Sequence, residues 1–320
     1  MNETWDAHRV KTGQNRWVVA LAGGHGMRLQ AFVRTVLGTD RPKQFCAIIG
    51  RRSMLRHTWD RALCLVPAAR LVTVITAGQE SFLADEEAAG IPGALLVQPR
   101  NRDTGPGLLL PLLWIAEQDP GASVVVFPAD HFIWEEGRFL EVVQTAGAAA
   151  ESYPGQVVLL GIEARTPETG YGWITPGAAP DGRLAAAGLF RVQGFWEKPD
   201  RATAGRLQAA GSLWNSFVLV GRVAALLALA EAHLPRTLAS LRAACAGWNT
   251  PRGTGALDAA YRRLKSSNFS RDVLEPGSAS LLVQVARGIH WCDWGDPERI
   301  LQTVHQFHRT PSWLSALEAA

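Results

Sequence analysis

Apolar residues along this chain fall into short, uninterrupted runs. The first, Trp17-Val18-Val19-Ala20-Leu21-Ala22, stops abruptly at Gly23-Gly24. Its length, its β-branched pair and the glycine boundary predict a buried strand that feeds a loop. Similar runs at 71–76, 94–97, 123–127 and 156–160 predict further strands. Helical periodicity fills the stretches between them. Ser53 predicts an N-cap, with Met54, Leu55, Trp59 and Leu63 behind it on roughly one helix face. Strands that alternate with helices predict an α/β fold with a mostly parallel sheet covered on both sides.

The texture changes after Gly161. Residues 166–180 are rich in Gly, Pro and Thr, and 184–196 predict one or two strands. Helical patterns dominate 223–265, and a last apolar run at 280–286 precedes an aspartate between tryptophans and a final helix. No repeat, long linker or composition break demands a second domain. The expected organisation is a polar tail over 1–15, one domain over 16–309 whose second half binds substrate, and a tail over 310–320.

Composition narrows the class. Of 320 residues, 47% are hydrophobic and 19% charged, which excludes disordered and low-complexity chains. Acidic and basic totals of 29 and 32 leave a net charge of +3, without the concentrated basic excess of a nucleic-acid binder. No apolar run approaches the ~18 residues of a membrane helix, and the N-terminus lacks the apolar core of a secretory signal. Cys46, Cys64, Cys245 and Cys292 are scattered with no C-x-x-C pair, which fits reduced thiols and a cytoplasmic location better than zinc or disulfides.

The candidate chemistry lies just beyond the predicted strands, where ligands gather in open parallel sheets. Gly23-Gly24-His25-Gly26-Met27-Arg28-Leu29 follows the first. Glycines let backbone N–H groups approach a phosphate or base, and an arginine adds a forked charge. The run is neither a dinucleotide fingerprint, since Leu29 stands where a glycine is needed, nor a P-loop. Asp130, in Pro128-Ala129-Asp130-His131, and Asp293, in Trp291-Cys292-Asp293-Trp294-Gly295, are candidate ligands for Mg²⁺, which prefers oxygen. Taken singly, each also reads as a loop or capping aspartate, and Glu197-Lys198 as a solvated pair.

Together these segments resemble the sugar-phosphate nucleotidyltransferase family, and within it the mannose-1-phosphate guanylyltransferases, in a short single-domain form. The matching segments, in family order, are those around Gly23 and Asp130 together with Arg41-Pro42-Lys43-Gln44-Phe45, Arg102-Asp103-Thr104-Gly105-Pro106, Pro167-Glu168-Thr169-Gly170-Tyr171-Gly172, Phe195-Trp196-Glu197-Lys198-Pro199-Asp200, Trp214-Asn215-Ser216 and the Asp293 segment. They span roughly residues 16 to 308. The resemblance implies a Rossmann-like mixed sheet and transfer of a nucleotidyl group from GTP to mannose-1-phosphate, with Mg²⁺ as cofactor and pyrophosphate released. No nucleic acid or membrane partner is implied. Family members are often homodimers, although no exposed apolar stripe marks an interface here.

The resemblance also implies roles. Arg28 and Lys43 would be the cations on the triphosphate, and Asp130 and Asp293 the Mg²⁺ ligands. Leu21, Ala22, Gly23, Gly24 and Gly26 would approach base, ribose and phosphates, with Thr104 and its neighbours reading the base. Lys198 would neutralise the sugar phosphate, and Glu197, Asn215 and the amide of Gly172 would bond sugar hydroxyls. Trp173, Trp196, Trp214 and Trp294 stand beside these positions, as pocket lining or as core. Met27 replaces the usual threonine, Asp103 and Gly105 stand in the usual Arg-Asn-Thr-Ala-Pro, and Ser270 replaces an acidic residue. Asp103 keeps UTP or dTTP, and glucose-1-phosphate or a heptose phosphate, open as alternatives. A catalytically silent regulatory homologue should have lost the cations or carboxylates retained here, and a glycosyltransferase would commonly carry an Asp-x-Asp that this chain lacks. With no β-helix or cupin-like segment appended, a single activity is expected.

Overall fold

The computed structural model describes residues 15–87, 90–247 and 251–318; apart from Asn15, the expected N-terminal tail lies outside them. Among the described residues there are eleven strands: β1 (Arg16–Leu21), β2 (Leu71–Thr76), β3 (Ala94–Gln98), β4 (Ser123–Pro128), β5 (Phe132–Ile133), β6 (Val157–Glu163), β7 (Gly172–Pro176), β8 (Leu189–Glu197), β9 (Leu213–Arg222), β10 (Leu281–Ala286) and β11 (Trp291–Cys292). Nine form one mixed sheet in the order β3-β2-β1-β4-β9-β6-β10-β8-β7. The first four apolar runs became its first four strands, all parallel, with β1, β2 and β4 almost entirely buried and β3 half-buried at the sheet edge, and the run at 156–160 became β6. The chain runs outward from β1 to β3 and then returns to the other side of β1 as β4. That reversal makes the carboxyl ends of β1 and β4 a switch point, where such sheets bind ligands.

The second half is built differently. β9 runs antiparallel to β4 and β6, β10 is parallel to β6, and β8 is antiparallel to β10. β7 pairs with both β8 and β9, so β9, β6, β10, β8 and β7 close on themselves. Trp214 pairs with Ile162 on one side and Trp173 on the other. Neither β7 nor β9 stands out as an apolar run. β7 lies in the Gly/Pro/Thr-rich stretch and is held by partners on both sides, the usual way context overrides weak strand propensity. β9 carries buried Asn215 and Ser216 and turns at Phe217, whose φ is +56°.

Helices cover both faces. One layer, including Thr104–Gln118, Val223–His233 and Pro235–Cys245, packs on one side, and Met54–Leu63 and Glu136–Ser152 pack on the other. Thr104–Gln118 is apolar nearly all round, and residues 105–113 and Ile115 are all buried, as expected of a helix inside a core. Ser53 caps Met54–Leu63 by accepting from Arg56 N. Met54, Leu55 and Trp59 face inward as expected, but Leu63 is 41% exposed, because Ala62 takes the inner position of the last turn. The segment expected as a C-terminal tail carries a short helix, Leu314–Glu318, anchored by buried Trp313. Its Nε1 donates to Ile48 O at 2.8 Å and its ring meets Phe32 edge-on. No helix among the described residues is long and apolar enough to cross a membrane.

Candidate active site

A cleft of about 320 Å³ opens at the switch point. The Leu21↔Pro128 register puts the glycine loop after β1 beside the Pro128-Ala129-Asp130 turn after β4. A second pairing brings in the late aspartate. β5 and β11 form an antiparallel ribbon in which Phe132 faces Cys292. Asp130-His131 leads into that ribbon and Asp293 leads out of it, so the two carboxylates meet although they are far apart in sequence. Both line the cleft, with Leu21, Gly23, Gly24, Arg28 and Thr104 on one side and Gly172, Glu197, Lys198 and Asn215 on the other.

The glycine loop is held by its carbonyls. Gln44 Nε2 donates to Ala22 O (2.7 Å) and Gly24 O (2.6 Å), Gln79 Nε2 to Gly24 O (2.9 Å), and Thr76 Oγ1 and Asn101 Nδ2 to Gly23 O (2.8 and 3.3 Å). With the oxygens drawn back, the N–H groups of Gly23 and Gly24 have no partner among the described residues, an arrangement suited to an anion. A Cβ on Gly23 would fall 2.4 Å from Gln98 Nε2, so the close approach requires glycine. Gly26, with φ +62°, turns the loop but lies off the cleft wall, as does buried Ala22. Arg28 is exposed and free of any ion pair or hydrogen bond among the described residues.

Gln98 went unremarked in the sequence. It is 3% exposed and lines the cleft. Thr76 Oγ1 spends its one proton on Gly23 O, so it must accept from Gln98, which fixes the amide orientation and leaves Oε1 buried without a partner. A buried carbonyl in that state costs free energy until something donates to it. On its own, a glutamine at the end of a strand gives no sequence signal. Nearby, Asp103 adopts φ +67° and ψ −173°, a region nearly reserved for glycine, and caps the helix that begins at Thr104. Its Oδ1 accepts from Thr104 N at 2.6 Å and from Asn268 Nδ2 at 3.4 Å. The glycine at 105 has a local reason, since a Cβ there would fall 2.8 Å from Ser267 O. Arg102 turns away, donating to the Tyr261 and Arg262 carbonyls.

Lys43 lies against the two aspartate segments. Its side chain is buried and does not line the cleft. Nζ pairs with Asp130 Oδ2 at 3.1 Å and donates to the carbonyls of Asp293 and, at 3.2 Å, Trp294. An ammonium has three donors, and all three are taken. In this structure the lysine holds the two aspartate segments together. Burial pushes the Asp130 carboxyl up, but Lys43 and His131 outweigh it and hold it below the usual carboxylate range. Asp293 is likewise held low against burial by Lys43, His131 and Arg299.

Two ionised carboxylates supply hard oxygen donors, and no third acidic, His or Cys side chain joins them in a metal-sized cluster among the described residues. That donor set fits Mg²⁺, which usually takes one or two carboxylates and completes its shell with water and substrate phosphates. It does not fit a metal held by protein alone.

On the other wall, Glu197 and Lys198 form an ion pair at 3.6 Å. Burial raises the Glu197 carboxyl despite Lys198. Asn215 Oδ1 accepts from Phe217 N at 3.1 Å, which orients the amide at the bend of β9. The tryptophans proved to be mostly core: Trp173, Trp214 and Trp294 are buried, and none of these three nor Trp196 lines the cleft, although Trp291 does. All four cysteines are free.

The sheet's switch point thus gathers a glycine loop with open amides, two paired carboxylates and a polar second wall around one cleft. The chain belongs to the nucleotidyl transferase family, whose pattern it matches over residues 17–309. It is 31% identical over 294 residues to xanthan biosynthesis protein XanB of Xanthomonas campestris pv. campestris (strain B100), covering 90% of this chain and 59% of XanB. It is 34% identical over 209 residues to a mannose-1-phosphate guanylyltransferase of Salmonella montevideo, covering 64% of this chain and 42% of that protein. The chain thus spans roughly half the length of these curated relatives. A Thermus thermophilus crystal structure described as a mannose-1-phosphate geranyltransferase superposes with a TM-score of 0.76 at 29% identity, covering 90% of this chain and 79% of that one. A UDP-glucose pyrophosphorylase bound to UDP-glucose shares the fold, with a TM-score of 0.57 at 13% identity over 92% of this chain and 98% of that one.

Proposed function

We propose that this chain transfers a guanylyl group from GTP to mannose-1-phosphate, giving GDP-mannose and pyrophosphate. The observation that carries this reading is the gathering of an anion loop, two ionised aspartates and the Glu197-Lys198 wall around one cleft, in a chain similar to a protein named mannose-1-phosphate guanylyltransferase. A sugar-phosphate oxygen attacks the α-phosphorus, a new P–O bond forms, and the bond to the β-phosphate bridging oxygen breaks. The nucleophile is already anionic, so no general base is needed, and catalysis reduces to positioning and charge stabilisation.

In this reading the free amides of Gly23 and Gly24 and the guanidinium of Arg28 bind the triphosphate. Leu21 lies against the nucleoside, and Thr104 and Asp103 flank the base. Gln98 Oε1 accepts from a ring N–H, which guanine carries at N1 and which adenine and cytosine lack. Uracil and thymine carry one too, which is why UTP and dTTP belong in the test. Lys198 neutralises the sugar phosphate, while Glu197, Asn215 and the Gly172 amide bond the sugar hydroxyls. Asp130 and Asp293 would hold Mg²⁺, with Lys43 relieving the repulsion between their segments. When bound, the ion supplies Lewis-acid stabilisation of the charge on the transferring phosphate.

The test is pyrophosphate release by purified protein with Mg²⁺, crossing GTP, UTP, dTTP, ATP and CTP with mannose-, glucose- and galactose-1-phosphate. A dominant response to GTP with mannose-1-phosphate is expected. A dominant response elsewhere in the grid reassigns the substrates, and silence throughout with nucleotide still bound overturns the enzymatic reading.

A further inference from the structure

Arg299 lies in the first turn of the helix Pro297–Gln306, just beyond the aspartate segment. Its guanidinium is mostly buried, and each of its three nitrogens has a carboxylate partner. Nη1 donates to Asp293 Oδ1 at 2.8 Å, Nη2 to Glu168 Oε2 at 2.6 Å, and Nε pairs with Asp296 Oδ2 at 3.1 Å. The plane sits over the Tyr171 ring, 4.4 Å from its centroid. Both hydrogen bonds that Asp293 receives, from Arg299 and from Gly295 N, fall on Oδ1, so Oδ2 is the uncommitted oxygen. On the other side, Glu168 and Tyr171 belong to the loop whose Gly170, Tyr171 and Gly172 line the sugar wall. Tyr171 O accepts from Lys198 N at 3.2 Å, which carries the linkage to the lysine itself.

We propose that Arg299 is a positioning residue that fixes the Asp293 carboxylate and the 168–172 loop to each other, so that the carboxylate pair and the sugar-phosphate wall are set as one unit. The inference rests on the reading of the cleft given above. A planar five-donor fork suits this task, because it satisfies carboxylates on separate segments while stacking on a ring; an ammonium would keep the charge but lose the fork and the stack. Carboxylate orientation by an outer partner is the kind of support whose loss typically weakens metal binding about 10- to 100-fold.

The experiment uses the full chain with Arg299→Gln, Arg299→Lys and Glu168→Gln. Two readouts are taken: steady-state pyrophosphate release at varied Mg²⁺ and varied substrates, and titration of each protein with Mn²⁺ alone, followed by electron paramagnetic resonance. For Arg299→Gln, half-saturating Mg²⁺ should rise about tenfold and KM for the sugar phosphate severalfold, with KM for the nucleotide within about twofold and Mn²⁺ affinity about tenfold weaker. Arg299→Lys should fall between. Glu168→Gln should raise the sugar-phosphate KM, and the double variant Glu168→Gln/Arg299→Gln should add little to Arg299→Gln. Unchanged Mg²⁺ and Mn²⁺ dependence in Arg299→Gln overturns the proposal, as does a loss shared equally by all substrates. If Arg299→Gln fails to fold, the same criteria apply to Arg299→Lys and Glu168→Gln. If the wild type releases no pyrophosphate with any pair, the functional reading fails, and the Mn²⁺ comparison still decides the role of Arg299.

Discussion

The two walls of the cleft are prepared in different ways. The wall proposed to take the nucleotide, at the ends of parallel strands, offers backbone N–H groups with no partner among the described residues and an arginine, Arg28, free in solvent. The wall proposed to take the sugar phosphate, at the ends of the closed, mostly antiparallel strands, offers charges already tied: Glu197 to Lys198, and Glu168 and Asp293 to Arg299. A polyphosphate can gather around a flexible cation and fixed dipoles. A monophosphate sugar has one phosphate group to recognise and several hydroxyls to discriminate, which rewards side chains held in place beforehand. The aspartates stand between, locked by Lys43 on one side and by Arg299 on the other.

The largest effect should come from that shared boundary. Asp130→Asn and Asp293→Asn should each cut turnover about 10³-fold, several kcal/mol of transition-state stabilisation, while circular dichroism shows the fold intact. Near-normal turnover in both would remove the metal assignment.

Next, the walls should separate kinetically. Arg28→Ala should raise KM for the triphosphate about tenfold and leave that of the sugar phosphate nearly unchanged, with Lys198→Ala doing the reverse. If both substitutions moved the same substrate, the division between walls would be wrong.

A smaller effect concerns strain on the nucleotide side. Asp103→Gly relieves about 1–3 kcal/mol of backbone strain and gives up a cap worth only a few tenths against glycine, with some unfolded-chain entropy offsetting the gain. A net stabilisation of about 1 kcal/mol, a rise in Tm of about 2 °C, is expected from thermal unfolding.

The smallest concerns the helix layer behind the nucleotide wall. Burial, reinforced by Arg61 and Arg52 and partly opposed by Asp60 and Glu86, lowers the His57 pKa. Between its folded value and about 6.5 the unfolded chain binds the extra proton, so stability falls as pH drops below about 6.5. His57→Gln should therefore lose less Tm than wild type between pH 7 and pH 5. An identical loss would show that other groups carry the acid sensitivity.

The parallel half was legible because β1, β2 and β4 are buried on both faces and so appear as unbroken apolar runs; β2 begins and ends where the run from Leu71 to Thr76 does. In the other half the runs that became β6 and β10 and the stretch that became β8 were legible too, but β7 and β9 were not, because they owe their conformation to pairing on both sides. The glycine loop, Asp130, Asp293, Glu197 and Lys198 were also legible, since each follows a strand and carries a chemistry-bearing type.

Other features depend on contacts between segments distant in the chain. The β5–β11 ribbon, with Lys43 bridging its two ends, decides that Asp130 and Asp293 meet. The packing of Lys43 beneath them decides that this lysine is buried and fully bonded, while Gln98, Gln44 and Arg299 acquire their places only through partners from other strands and helices. Local sequence determines which elements form and which residue types follow them. Charge pairing and hydrogen-bond completion are settled only when the sheet brings those ends together, because the cost of an unpaired buried group depends on its neighbours in space.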